Sequence, residues 1–277
     1  MTTPNAIADY YERGDLLARL DRALAEDGAD PGHPSAQALA PYDQFHGRGM
    51  DATIDIAALM RVGAADHLLD VGSGIGGPAR YFATRFGCRV TGIDLTPEFC
   101  DVARVLTRRL GLEAKVAFEL GNALAMPFID HQFEGAYSMN VSMNIADKVA
   151  FFREIHRVLK PGGWLVLSEI ARGEGAGPDY PTPWARSAET SFLSTPDGTL
   201  GSLAQAGFDV VSWRNTAEEA LAYAARSRAM VARGEKPPHR AVMLIHREVA
   251  AAAMANSARA LAESRTIPIE ILARRSD

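Results

Sequence analysis

Apolar positions along this chain follow two rhythms, stripes recurring every three to four residues and short unbroken runs, and their alternation predicts the architecture. Residues 5–26 carry a helical stripe. Residues 28–49 are rich in Gly, Pro and polar side chains and read as a linker, and residues 50–62 as a second helix entering the main body. From His67 onward runs and stripes alternate, the signature of βαβ units and of a parallel sheet with right-handed crossovers. The predicted strands are 67–71, 88–94, 116–120, 133–138, 164–170 and 208–214. Ile267, Ile269 and Ile271 alternate in a last strand, against which Pro268 argues. A helix is predicted over 78–86, where Ala79, Phe82, Ala83 and Phe86 share a face, and another over 97–110, with Thr96 as N-cap and Pro97 in the first position. A third, 149–159, stops at Lys160-Pro161-Gly162-Gly163, and Ala-rich helices follow at 216–233 and 239–263. Residues 171–197 show little regular pattern over a length at which loops are functional or disordered, and they are expected to form a lid.

Composition narrows the classes. The 277 residues are 47% hydrophobic and 23% charged, ordinary for a folded soluble chain and unlike a disordered, collagen-like or coiled-coil one. Lys plus Arg number 29 against 34 Asp plus Glu, a net charge of −5 that gives no strong field for phosphate backbones or anionic lipid. Neither nucleic acid nor membrane is therefore an expected partner. No apolar run approaches the roughly 20 residues of a membrane span, and the start lacks a basic stretch followed by an apolar one, which predicts a cytoplasmic location. Cys88 and Cys100 fall in a predicted strand and helix and read as small buried hydrophobes, and no Cys and His ligands cluster as a metal site requires.

The strongest motif is the strand, turn and helix start His67-Leu-Leu-Asp-Val-Gly-Ser-Gly-Ile-Gly-Gly-Pro-Ala-Arg80. Gly72, Gly74 and Gly77 match the G-x-G-x-x-G of dinucleotide folds, where glycines let backbone and helix N-terminus approach a pyrophosphate. Asp70 points the other way, because a carboxylate at the tip of strand one repels a pyrophosphate and attracts an ammonium or sulfonium group. Asp94 ends strand two, where an acid accepts hydrogen bonds from both ribose hydroxyls of an adenosine, and both readings need it.

Asp70-x-Gly72-x-Gly74-x-Gly76 together with Asp94 resembles the class I methyltransferases that depend on S-adenosyl-L-methionine (SAM), over about residues 66–170. The resemblance implies an α/β, Rossmann-like fold: a seven-stranded, mostly parallel sheet with helices on both faces. It also implies an N-terminal helical cap and linker over 1–49 and a methyltransferase domain over 50–277 with a lid insertion at about 171–200. SAM becomes the expected cofactor and S-adenosyl-L-homocysteine (SAH) its product. Asp70, Gly72, Ser73, Gly74, Gly77, Asp94 and Leu95 are the expected cofactor residues, with Asn122 and Ala123 after strand three and Asn140 after strand four. The family's usual acid is replaced by Asn122, whose oxygen still accepts from an adenine amino group; a simple turn residue is the ordinary alternative. Finer strings resemble sarcosine/dimethylglycine N-methyltransferases: Tyr42-Asp-Gln-Phe-His46, Gly76-Gly-Pro-Ala-Arg80, Met143-Asn-Ile-Ala-Asp-Lys148, Arg157-Val-Leu-Lys-Pro-Gly-Gly163 and Tyr180-Pro-Thr-Pro-Trp-Ala185.

Methyl transfer from a sulfonium to a neutral nucleophile asks mainly for proximity, alignment and exclusion of water. The finer resemblance implies a small amine of the sarcosine type as the acceptor, and because burial favours the neutral form of an amine no dedicated base is required. His46, as a proton acceptor near neutral pH, and Asn140, as an orienting amide, are the catalytic candidates. Tyr11, Tyr42, Gln44, His46, Arg48, Tyr180 and Trp184 are the substrate-binding candidates. The aromatics suit cation–π contact with a methylated ammonium, and Arg48, Arg172 or Arg186 would grip a carboxylate. Core packing and surface exposure are their ordinary alternatives. Glu169 reads as capping the lid, and His239 and His246 as structural residues on a helix. The rivals are an oxygen, carbon or sulfur acceptor, an NAD-dependent oxidoreductase and a non-catalytic SAM-binding module. Whether the chain forms a homodimer is left open.

Overall fold

Leu68, Leu69 and Val71 have no exposed surface, so the run from His67 to Val71 forms a strand covered on both faces, β1. The computed structural model describes residues 9–11 and 14–276. Beside β1 lie β2 (Arg89–Asp94) and β3 (Val116–Leu120) on one side, β4 (Phe133–Met139) and β5 (Leu159–Arg172) on the other. β6 (Phe208–Asn215) forms the far edge, and β7 (Thr266–Arg275) runs antiparallel between β5 and β6. The seven-stranded order is β3-β2-β1-β4-β5-β7-β6, and only β7 is reversed. This is the Rossmann-like class I methyltransferase fold.

Alternate residues of a strand face opposite layers, which divides the core in two. Leu68, Val90 and Val166 pack with Ile56 of α3 (Met50–Leu59) and Phe82 of α4 (Gly77–Phe86). Leu69, Leu165 and Leu167 pack with Phe152 of α6 (Lys148–Val158) and Leu203 of α7 (Pro196–Gln205). A third cluster joins Leu16, Leu20 and Leu24 of α1 (Leu16–Glu26) and Leu39 of α2 (Ala36–Asp43) to Phe99 and Leu106 of α5 (Pro97–Arg109). The N-terminal helices thus share a core with the sheet domain. Among the described residues no helix is long and apolar enough to cross a membrane.

The structure departs from the sequence pattern where a local signal was overridden. The first predicted helix is interrupted at Gly14 and Asp15, both at positive φ, before α1 begins, and its residues 5–8 and 12–13 lie outside the described residues. The expected linker contains α2, started by Ser35, whose hydroxyl accepts from the Ala38 N–H, and carrying Pro41 within it. α3 ends at Leu59 rather than at 62. Pro161-Gly162-Gly163 does not separate helix from strand; β5 begins at Leu159 and passes through it with a register shift against β4. The lid expected over 171–200 is shorter, because β5 runs to Arg172 and α7 starts at Pro196 behind the Thr195 N-cap. The helix expected over 239–263 is two, α9 (Ala241–His246) and α10 (Ala250–Ala262), broken at Arg247 with φ 48°. Pro268 sits inside β7 without harm, and its carbonyl accepts from the Thr216 N–H at 2.8 Å.

Candidate functional site

Open α/β sheets place ligands beyond the carboxyl ends of their strands, where the strand order reverses. Here the reversal falls between β1 and β4, and a cavity of about 600 Å3 opens there. Asp70, Asp94, Asn140 and Glu169, from the ends of β1, β2, β4 and β5, are all on its wall.

The glycine turn is stapled to β2. Gly72 and Ser73 donate their backbone N–H groups to the Ile93 carbonyl at 2.8 and 3.0 Å, and Gly74 donates to Asp94 Oδ2 at 2.8 Å. These three N–H groups are therefore committed within the chain and are not available to a pyrophosphate. Gly72 has φ 76°, and a Cβ there would stand 2.2 Å from Val141 Cγ2, so both the turn and the approach of the β4 loop require glycine.

Asp94 accepts from the Gly74 N–H and, through Oδ1, from the Thr96 N–H at 2.9 Å. Burial raises its pKa against those two donors. The Thr96 hydroxyl itself makes no cap to α5, although the residue stands at the N-cap as expected. Asp70 is 3% exposed, and its Oδ2 has no hydrogen-bond partner among the described residues. Burial pushes its pKa up to about 8; Asp94 adds to the rise, while Tyr137 and Arg80 oppose it. The buried Ser73 Oγ is likewise without a partner among the described residues. Orphaned buried polar atoms on a cavity wall are satisfied by a ligand or by water.

Leu95, Ala123 and Asn140 also line the cavity, as does Asn122. Asn122 Oδ1 accepts from the Leu124 N–H at 2.9 Å, so the residue also closes a turn. Asn140, at φ 58°, is held by its N–H to the Ser168 carbonyl at 2.7 Å. Gly77 is not on the wall. A Cβ at Gly77 would meet the Asp43 carbonyl oxygen at 2.2 Å, so its smallness admits the end of α2 rather than a cofactor.

Of the substrate candidates, Tyr11, His46, Arg48 and Trp184 line the cavity. Tyr42, Gln44 and Tyr180 do not, and their contacts explain why. Tyr42 donates to Asp27 at 2.8 Å with Arg240 over its ring; Gln44 bridges Asp43 and Thr53; Tyr180 packs on the Met143 and Trp184 cluster. Arg48 is on the wall but is paired with Asp55 and Glu270, both at 2.7 Å. Arg172 and Arg186 lie off the wall. No cavity arginine from the predicted set is left for a carboxylate.

His46 is 5% exposed, with Nδ1 at 3.2 Å from the Gly47 carbonyl and Nε2 at 3.1 Å from the Thr53 hydroxyl. Burial lowers its pKa to about 3, so it is neutral at physiological pH and a poor proton acceptor there. Glu169 accepts from the Ser142 N–H at 3.2 Å, and burial raises its pKa. Lys148 donates to the carbonyls of Ser142, Ile145 and Phe192, tying the β4 loop to the lid, and burial lowers its pKa. Glu169 thus organises the β4 loop. His239 precedes α9 and bonds the Gln44 carbonyl at 2.7 Å; His246 bonds the Pro183 carbonyl at 2.9 Å.

Sequence reasoning missed a whole wall. α8 (Ala217–Ala232) presents Ala220, Tyr223, Ala224 and Ser227 to the cavity, at helical spacing that was legible but indistinguishable from ordinary packing. Facing it are Met254 and Ala258 of α10.

Residues 69–167 match the family described as "Methyltransferase domain". The chain is 31% identical over 165 residues to the methyltransferase GfsG of Streptomyces halstedii, covering 59% of this chain and 57% of that protein. It resembles the solved [4+2]-cyclase SpnF with a TM-score of 0.70 at 23% identity, over 99% of this chain and 97% of that one. A putative sarcosine dimethylglycine methyltransferase from Galdieria sulphuraria gives a TM-score of 0.62 at 18% identity, over 82% and 83% of the two chains. Those structural likenesses concern the fold. Relatives named for carbon, oxygen and nitrogen methylation all match, so the sarcosine type has no special standing among them. The chain spans 57%, 31% and 47% of three of these curated relatives.

SAM is the cofactor that the sequence resemblance implies, and the residues present fit it. The unpartnered Asp70 oxygen suits a cationic group, the Asp94 carboxylate has lone pairs left for hydroxyl donors, and Asn122 and Ala123 wall the same end of the cavity.

Proposed function

We propose that this protein is an enzyme that transfers a methyl group from SAM to a small-molecule acceptor. The observation that carries the reading is the buried Asp70 carboxyl, whose Oδ2 has no hydrogen-bond partner among the described residues, beside Asp94 and next to a glycine turn whose Gly72, Ser73 and Gly74 N–H groups are committed within the chain. That combination favours a cationic adenosyl ligand over a pyrophosphate. SAM supplies a methyl group on a sulfonium, open to in-line attack by a neutral nucleophile.

The chain's residues bind, orient and exclude water. Asp70 balances the cation, and Asp94 accepts from ribose hydroxyls. His46 and Asn140 flank the acceptor space as orienting groups, the imidazole in its neutral form. An amine is the proposed nucleophile, because burial favours its neutral, reactive form. A second reading, an oxygen or carbon nucleophile, is favoured by the engagement of Arg48 with two acids, which leaves the carboxylate of a sarcosine-like substrate without its expected grip.

Calorimetric titration with SAM, SAH and NADH tests the cofactor, and product analysis with candidate acceptors tests the nucleophile. Binding of the adenosyl ligands alone is expected. Binding of NADH alone would overturn the reading, and methyl transfer solely to oxygen or carbon would replace the amine by the second reading.

A further inference from the structure

α8 spans 16 residues, yet none of them is fully buried, and its inner stripe is only half-buried. A helix on a globular protein ordinarily buries an apolar stripe. The stripe on α8, Ala220, Tyr223, Ala224 and Ser227, instead borders the cavity. Across from it Met254 is 45% exposed although it lines the same space, and Ala258 is exposed as well. Leu261 and Val242 complete this arm, and its one charged side chain is Arg228. The arm is continuous with the strand-end pocket that holds Asp70 and Asp94. The acids of the cavity all lie at that strand end, so the two halves differ in kind.

We propose that the arm between α8 and α10 binds the hydrocarbon body of the acceptor, so that the substrate is an apolar or amphipathic molecule rather than a small zwitterion. This rests on the proposed cofactor reading and specifies the substrate class of the same site. Three facts point to a ligand as the occupant: the arm is lined mainly by apolar side chains that border the cavity, it opens directly into the cofactor end, and its one charged side chain, Arg228, has no acid beside it in the lining to complete a grip on the two charges of an amino acid. Burying the acceptor's hydrocarbon there extends the apolar contact of a helix whose inner stripe is only half-buried. It also excludes water from the route to the reacting methyl group.

The test uses the full chain loaded with SAH and titrated by calorimetry with 1-hexanol, 1-octanol, 1-decanol and, separately, sarcosine. Alkanol affinity is expected to rise about fourfold per added methylene, the increment for burying one such group, and sarcosine is expected to be the weakest. Ala224→Leu and Ala258→Leu, each filling the arm from a different helix, are expected to lower decanol affinity about tenfold while SAH affinity stays within twofold of wild type. Alkanol affinity independent of chain length, or decanol binding unchanged in both variants, overturns the proposal. Failure of the wild-type chain to bind SAH overturns instead the cofactor reading on which it rests, and the two failures are read from separate titrations.

Discussion

The two ends of the cavity are built on different principles. At the strand end, polar groups are fixed by backbone: the Gly74 and Thr96 N–H groups hold Asp94, the Ile93 carbonyl holds the turn, and Asp70 is buried with one oxygen to spare. At the helical end, between α8 and α10, the wall is mainly apolar, and Tyr223, Ser227 and Arg228 are its few polar groups. The strand end dictates one ligand in one pose. The helical end dictates only a shape and an apolar character, which is how a fold keeps its cofactor and changes its acceptor.

Substitutions at the strand end sharpen this contrast most. Asp94→Ala removes charge-assisted hydrogen bonds worth roughly 1.5–3 kcal/mol each, so SAH affinity should fall at least about tenfold, the worth of a single such bond, in calorimetry. Unchanged affinity in a variant with the native circular dichroism would place the ribose elsewhere. Gly72→Ala should lower stability in denaturant unfolding by about 2 kcal/mol, from the left-handed backbone and the clash with Val141. Adding Val141→Ala should recover the steric part, and no recovery would mean that the backbone alone is at fault.

A smaller effect concerns protons. Asp70 in the folded chain titrates at about 8, far above its unfolded value, so its contribution to stability is full at low pH and is lost as pH rises toward and through 8. Asp70→Asn should flatten the thermal-stability profile between pH 5 and 8. A cation bound beside Asp70 pulls the proton off, so SAM binding at pH 7 should release up to ~1 proton, read from calorimetry in buffers of different ionisation enthalpy. Equal heats in all buffers would separate Asp70 from the cation. His46 has the opposite sign: its pKa is lowered to about 3, and the stability it contributes at neutral pH is lost as pH falls below its ordinary value. The smallest expected effect is therefore on turnover, where kcat should show no imidazole step near pH 6.5. A step that disappears in His46→Gln would restore His46 as a base.

The strand end was also the more legible in the sequence. β1, the turn and Asp94 are local in the chain, so strand, glycines and acid report one another within a short stretch. Helix α7 carried an equally local signal, Thr195-Pro196-Asp197 as cap, first-turn proline and acid, which the Gly- and Pro-rich run before it obscured. Pro41 hid α2 in the same way, although Ser35 marks its start. The fates of Tyr42, Gln44 and Arg48 could not be read, because their partners include Asp27, Thr53 and Glu270, brought together only by folding. The helical arm was hidden for a related reason. Helical spacing says which residues share a face but not whether that face meets protein or empty space.

Asp43 pairs with Arg80 at 2.9 Å, both nearly inaccessible, directly beneath the glycine turn and against Gly77. Replacing Asp43 by Ala in the full chain would leave that guanidinium buried without its counter-ion, a penalty of about 3–5 kcal/mol. The glycine turn is thus completed by a stretch of chain that precedes the sheet. A hybrid that grafts this sheet onto another N-terminal segment would need an acid at the place of Asp43 to keep Arg80 paired.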